Sequence, residues 1–314
     1  MGNFLLNKLP AYFATAFIIK RKRLISFVLA FILTLIVNKV VAAIVTVKIS
    51  IFGFHDIVDI YNTKELPPLR PAFQSDYAQQ DLELFLDNLV RENYWFMSAQ
   101  ELYDYYLSNP KKPLPPEHRY QKKVMITFDD GYKSVYTHLL PILERLEAKY
   151  GKKAKVVLFI NPGFIGHHGT ILDKANCQEL REGFQKGFYD LQSHGLNHEN
   201  LIMIPVKSLD RELGEAQIQL RKCTQGLDAA QTVGVHIAYP YGAVNKVAEK
   251  YVAKYYLSGY LYNSLTLKFG FFPTNKYYIP RLTANKKQSV TRLTRMAAGG
   301  WLRNLIRNKF RVIE

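Results

Sequence analysis

Five short apolar runs, at residues 49–54, 124–128, 155–160, 188–191 and 234–239, recur along this chain with helix-like stretches between them. Residues 76–90 carry Leu82, Phe85, Leu86, Leu89 and Val90 at helical spacing, and residues 133–150 read as a further helix. Strands alternating with helices imply βαβ units and a parallel sheet. Four of the runs break off into residues that can do chemistry: His55-Asp56, Asp129-Asp130-Gly131, Ser193-His194 and Pro240-Tyr241-Gly242. In a (β/α) barrel such positions line one rim, and an open doubly wound sheet would gather them on the same side.

Neighbouring residues of an extended strand point to opposite faces. The pair Asp129-Asp130 can therefore aim one carboxylate at a metal and leave the other free as a base, while Gly131 lets the chain turn sharply. On its own the triplet also reads as an ordinary surface turn. Ser193-His194-Gly195-Leu196-Asn197-His198 supplies two imidazoles four residues apart, the spacing of one helical turn, and such a pair can share one metal. Joined by Asp130, they form a two-His, one-carboxylate set with positions left open for water and substrate. A lone His after a strand, as His55 is, usually serves as a structural hydrogen-bonder.

Charge locates the tails. The first 50 residues hold seven Lys/Arg and no acid, residues 275–314 hold ten against Glu314 alone, and the middle of the chain is neutral. The net charge of +16 is therefore not a nucleic-acid footprint, and neither zinc-finger spacing nor an aromatic-basic RNA-binding pattern occurs. Lys20-Arg21-Lys22-Arg23 closes a basic N-terminus, 1–23, ahead of a mostly apolar run over 24–47, long enough to cross a bilayer core. This predicts a transmembrane anchor, with a cleaved signal segment as the alternative. Lys39 within it costs roughly 2.5–3.5 kcal/mol if central, less if it snorkels to the far face. Either reading leaves the basic cluster in the cytoplasm and everything beyond residue 48 outside it, at the cell surface or in a periplasm.

The combination TFDDGY, SHxxxH and a strand running into YPYG resembles the NodB-homology polysaccharide deacetylases, the family-four carbohydrate esterases, over roughly residues 49–285. The resemblance implies a distorted (β/α) barrel that removes acetyl groups from a polysaccharide with one divalent metal. It assigns Asp129 as catalytic base, Asp130, His194 and His198 as metal ligands, and the backbone N–H of Tyr241 as an oxyanion donor. Two departures stand out: Ala238 occupies the position where most of the family has an Arg, and no His follows His236. Both resemble the exported poly-β-1,6-N-acetylglucosamine deacetylases, whose motif order is permuted. In that branch the acid His lies in the first strand, which points to His55 in Phe54-His55-Asp56. The Arg role passes to Arg281 in Tyr278-Ile279-Pro280-Arg281.

The resulting expectation is an amide hydrolase acting on C–N bonds other than peptide bonds, with zinc as default metal and cobalt or nickel as substitutes. Its substrate would be a polymer containing N-acetylglucosamine, with peptidoglycan, chitin oligomers or another exopolysaccharide as alternatives, and a non-catalytic glycan-binding relative as the reading outside enzymes. A polysaccharide synthase or export machinery is the partner such an enzyme would serve, and biofilm polymer the context. The domain plan is 1–23 basic tail, 24–47 anchor, 48–289 catalytic domain and 290–314 a basic amphipathic helix. In that last segment Trp301, Leu302, Leu305, Ile306 and Phe310 interleave with Arg303, Arg307, Lys309 and Arg311, a pattern that suits anionic lipid or packing on the barrel. Ser98 and Glu101 read as a capping box. Cys177 and Cys223 are too few for a disulfide framework, and their pairing is left open. His118, His138, His167, His168 and His236 read as surface or packing residues.

Overall fold

The computed structural model describes residues 24–35, 47–169, 172–269 and 274–299. Two units are distinguished, Met1–Val47 and Lys48–Glu314. In the first, residues 24–35 form helix α1 with an exposed apolar surface that includes Leu24, Phe27 and Leu33. Among the described residues no helix is long and apolar enough to cross a membrane. The predicted span of 24–47 is thus seen only in its first half as a twelve-residue helix, and residues 36–46 lie outside the described residues.

The second unit is the alternating α/β array that the apolar runs predict. Its strands are β1 (Val47–Phe54), β2 (Ile57–Val58), β3 (Tyr77–Ala78), β4 (Trp95–Phe96), β5 (Lys123–Asp129), β6 (Val156–Ile160), β7 (Tyr189–Ser193), β8 (His236–Ala238), β9 (Ser258–Tyr260), β10 (Leu267–Phe269) and β11 (Leu282–Thr283). The helices are α2 (Gln79–Arg91), α3 (Ala99–Leu102), α4 (Leu140–Tyr150), α5 (Cys177–Gln185), α6 (Val206–Cys223), α7 (Lys246–Tyr255) and α8 (Val290–Ala297). The main sheet runs β10-β1-β5-β6-β7-β8-β9, with β4 on β5 and β11 on β1. β1, β5, β6, β7, β8 and β9 pair in parallel along that order.

The sheet is a curled half-barrel, and the segment from Ile279 to Thr283 spans its gap. Ile279 bridges Tyr260 of β9, while Leu282 and Thr283 pair with Phe52 and Gly53 of β1. Period-two alternation sorts the side chains. Ile49, Ile51, Met125, Val157, Phe159, Ala238 and Tyr260 form one buried cluster inside the curl; Phe52, Phe54, Val124, Ile126, Phe128, Val156 and Leu158 join the helices outside. Thr127 and Asp129 continue the inward row of Met125. That alternation sets Asp129 at the mouth of the curl.

Local signals hold where chemistry specifies them. Ser98 and Glu101 make the reciprocal capping box of α3, and Asn176 and Glu179 make another at α5. α8 presents Leu293 and Ala297 to the core and packs on α2, and the Ser50 hydroxyl donates to the Met296 carbonyl. The described part of the C-terminal basic segment, residues 290–299, therefore packs on protein; Trp301 to Phe310 lie outside the described residues. His236 is a packing residue, buried between Ser258 and Gln100.

Cys177, first residue of α5, is disulfide-bonded to Cys223, last residue of α6, across 46 positions. Closing a loop of that size removes freedom mainly from the unfolded chain. Replacing both cysteines by Ala should lower the unfolding free energy by roughly 2–4 kcal/mol, read from denaturant titrations without reductant. Equal midpoints for the two proteins would deny the bridge any stabilising role.

Candidate active site and metal centre

Asp129 ends β5, and Asp130 takes the first step off the strand with φ +71, followed by Gly131 at +65. A left-handed aspartate is uncommon but tolerated. Two successive left-handed residues turn the chain away so that the neighbouring carboxylates diverge. His194 follows β7, its N–H donating to the Ile160 carbonyl, as though extending that strand.

His198 arrives differently from expectation. Residues 194–199 form a loop and not a helical turn, with Gly195 at φ +75 and His198 at +58. The four-residue spacing brings the rings together because the loop doubles back, leaving their centroids 4.9 Å apart.

Asp130, His194 and His198 offer one ligand atom each within 4.8 Å of one another. Asp130 Oδ1 lies 3.5 Å from His194 Nε2 and 3.3 Å from His198 Nε2. The donor set fits a divalent ion on two further counts. Asp130 Oδ1 is buried with no hydrogen-bond partner, a condition that is expensive unless a cation satisfies it. His194 Nδ1 faces the Ala238 carbonyl at 2.8 Å, which fixes its proton there and leaves the Nε2 lone pair outward. Burial lowers the His194 pKa despite the nearby carboxylates, which keeps the ring neutral as a ligand must be.

Asp129 is held apart from this group by Arg281. The guanidinium is fully buried and makes a two-pronged pair with Asp129, Nη1 to Oδ1 at 2.6 Å and Nη2 to Oδ2 at 2.8 Å. Its remaining bonds go from Nη1 to Thr127 Oγ1 and from Nε to the Leu261 carbonyl. Burial alone would push the Asp129 carboxyl up, but the charge and paired hydrogen bonds of the Arg281 guanidinium outweigh it and hold the pKa at about 2. Ala238, at the position where a family Arg was expected, contributes its carbonyl to His194, and Arg281 reaches Asp129 from the segment that spans the gap.

His55 follows β1, and the pairing of Phe54 with Phe128 sets it beside Asp129 in register. The two are close enough for their charges to interact. The Tyr262 ring meets His55 edge-on, and its hydroxyl donates to the Gly53 carbonyl. Tyr241, exposed and left-handed at φ +60, lays its ring against His198 with centroids 4.7 Å apart. All seven sequence-predicted residues thus gather at one end of the sheet.

The sequence reading missed the wall beside His55. Asp56 accepts from Ser134 Oγ and Arg70, and buried Arg70 also pairs with Asp76. Asp76 in turn accepts from the Phe73 N–H, and the guanidinium lies 5.3 Å from the Phe73 ring centre. This clamp fixes residues 70–76 along a cavity of about 330 Å³ lined by His55, Phe73, Gln74, Ser75, Tyr262, Thr283 and Asn285. Only the adjacency of Asp56 to His55 hinted at it in the sequence.

The rim of the curled half-barrel thus brings two histidines and two aspartates together. The family model Polysaccharide deacetylase matches residues 117–259, just under half of the chain. That stretch contains Asp129, Asp130, His194, His198 and Tyr241; His55 and Arg281 lie on either side of it. YxkH of Bacillus subtilis, a protein named for the same family, is 30% identical over 148 residues, 46% of this chain. The chain spans less than half of that relative, 45% of its length. A poly-β-1,6-N-acetyl-D-glucosamine N-deacetylase of Staphylococcus aureus is 25% identical over 281 residues, covering 77% of this chain and 90% of its own. In fold, the crystal structure of a polysaccharide deacetylase from Bacillus cereus superimposes with a TM-score of 0.65 at 18% identity, over 80% of this chain and 69% of its own.

Removing the Arg281 charge should strand a buried carboxylate. Arg281→Met is expected to lose about 3–5 kcal/mol of stability at neutral pH by denaturant titration, and adding Asp129→Asn should restore part of it. The sign with pH follows from the lowered Asp129 pKa. Its contribution in the native protein is present above the unfolded value near 3.8 and is lost as pH falls through about 2, a dependence the double variant should lack.

Proposed function

We propose that this chain is a metal-dependent N-deacetylase acting outside the cytoplasm on a polymer of N-acetylglucosamine. The observation that carries the reading is the separation of two adjacent aspartates into different roles: Asp130 turned toward His194 and His198, Asp129 gripped by Arg281. A binding module has no use for that division. Likeness to a poly-β-1,6-N-acetyl-D-glucosamine N-deacetylase over most of both chains supports the choice of glycan. The Cys177–Cys223 bridge and the basic, then apolar, N-terminus support an extracytoplasmic, membrane-anchored setting.

Zinc is the default for two imidazoles and one carboxylate, with cobalt or nickel able to replace it. Bound by Asp130, His194 and His198, the ion would supply Lewis acidity, polarising the acetyl carbonyl and making water more acidic. Asp129, ionised and oriented by Arg281, takes the proton released as water adds to the amide carbon. The Tyr241 backbone N–H donates to the developing oxyanion. His55 gives a proton to the amide nitrogen as the C–N bond breaks, so acetate and a free amine leave. The cavity beyond His55 offers an aromatic ring at Phe73 with hydroxyl and amide groups at Ser75, Thr283, Gln74 and Asn285, a neutral lining that suits a sugar on the leaving-group side.

The experiment is acetate release from poly-β-1,6-N-acetylglucosamine, chitin oligomers and peptidoglycan, with bound metal measured in parallel. Asp129→Asn should retain metal and lose at least about a hundredfold in turnover, whereas Asp130→Ala should lose the metal as well. Full turnover in Asp129→Asn would remove the base assignment. Acetate released faster from peptidoglycan than from the β-1,6 polymer would redirect the substrate.

A further inference from the structure

α6 buries one face built from Leu209, Leu213, Ala216, Leu220 and Cys223, and Glu212 sits in that face, 4% exposed. A carboxylate in an apolar stripe is unfavourable unless its oxygens are hydrogen-bonded. The partners of Glu212 are backbone N–H groups of the loop that carries His198. Oε1 accepts from Asn197 at 2.9 Å and from Glu199 at 3.3 Å, the residues on either side of the histidine. The Glu212 carbonyl accepts from Leu196, so the same residue holds the loop at a third point. The oxygen lies tight against the backbone: a Cβ at Gly195 would come within 2.8 Å of it. His198 is meanwhile held at φ +58, a conformation costing a non-glycine residue about 1–2 kcal/mol that surrounding bonds must maintain.

We propose that Glu212 is a positioning residue for the metal centre: one carboxylate oxygen clasps the N–H groups flanking His198 and sets that ring toward Asp130 and His194. Neither α6 nor Glu212 touches the ion position; the effect passes through the loop backbone. The proposal rests on Asp130, His194 and His198 being metal ligands. A glutamine retains an oxygen that can accept both N–H groups, while an alanine leaves them buried and unpaired.

The test is cobalt(II) titration of metal-stripped full-length protein, followed by visible absorption, with zinc competition for tight binding. Glu212→Ala should weaken cobalt binding by tenfold or more, the range seen when groups supporting a ligand are lost, and Glu212→Gln should stay within about threefold of wild type on the same scale. Gln217→Met serves as a stability control, because the Gln217 amide bonds the Gly234 and Tyr255 carbonyls from α6 without touching residues 193–199. It should lose stability but keep cobalt affinity. Wild-type affinity in Glu212→Ala, an equal loss in Glu212→Gln, or an equal loss in Gln217→Met would each overturn the positioning role. Wild-type protein that binds no cobalt overturns the metal reading and this proposal together.

Discussion

The buried pair between Arg281 and Asp129 is the constraint around which the rim is arranged. A fully buried guanidinium must find acceptors for its N–H groups, and here two come from one carboxylate, one from a strand hydroxyl and one from a backbone carbonyl. The segment bearing Arg281 links β9 to β1, so satisfying the guanidinium and spanning the gap of the half-barrel are the same event. Such a pair is weak evidence for net stability, since removing two charges from water offsets much of their attraction. It is strong evidence for geometry, because two parallel bonds fix the plane of the carboxylate.

Fixing Asp129 also defines Asp130. Were both residues extended, their carboxylates would alternate across the sheet, and one would be lost among the helices. The left-handed step at Asp130 breaks the alternation and keeps both groups at the mouth. Three of the rim's non-glycine residues, Asp130, His198 and Tyr241, share this backbone state. Strain of this kind persists only where neighbouring bonds over-determine it. At the Asp130 turn, Ala175 N–H donates to the Gly131 carbonyl; around His198 the Glu212 carboxylate does the holding.

How legible this was depended on whether a role was local. Short apolar runs recurring between helical stretches announced the strands, and the Asp pair, the His pair and the capping box at Ser98 announced themselves because their partners lie a few residues away. Arg281 was legible only through family resemblance: it stands 152 positions from Asp129, and nothing local distinguishes it from a surface base. The helical reading of the His194–His198 spacing failed because two positive-φ residues, Gly195 and His198, fold the loop back, and spacing alone carries no backbone sign. Arg70 and Glu212 were illegible for a stricter reason. Glu212 binds backbone N–H groups, which no residue type announces, and nothing local marks Asp56 and Asp76 as sharing Arg70.

Charge at the rim completes the picture. Arg281 neutralises Asp129, and Arg70, shared between Asp56 and Asp76, leaves one negative charge there. Asp130 adds another. Lys174, whose ammonium burial disfavours, sits over the Tyr132 ring at 3.5 Å and interacts with both Asp130 and Asp56. Among the described residues, then, the mouth carries a modest excess of negative charge centred on Asp130 Oδ1, a buried oxygen without a hydrogen bond. Such a field favours a divalent cation at that oxygen and is indifferent to a neutral acetamide. Under the proposed reading, metal affinity falls to Asp130 and the loops that carry the two imidazoles, and sugar contacts fall to the polar and aromatic cavity lining beyond His55.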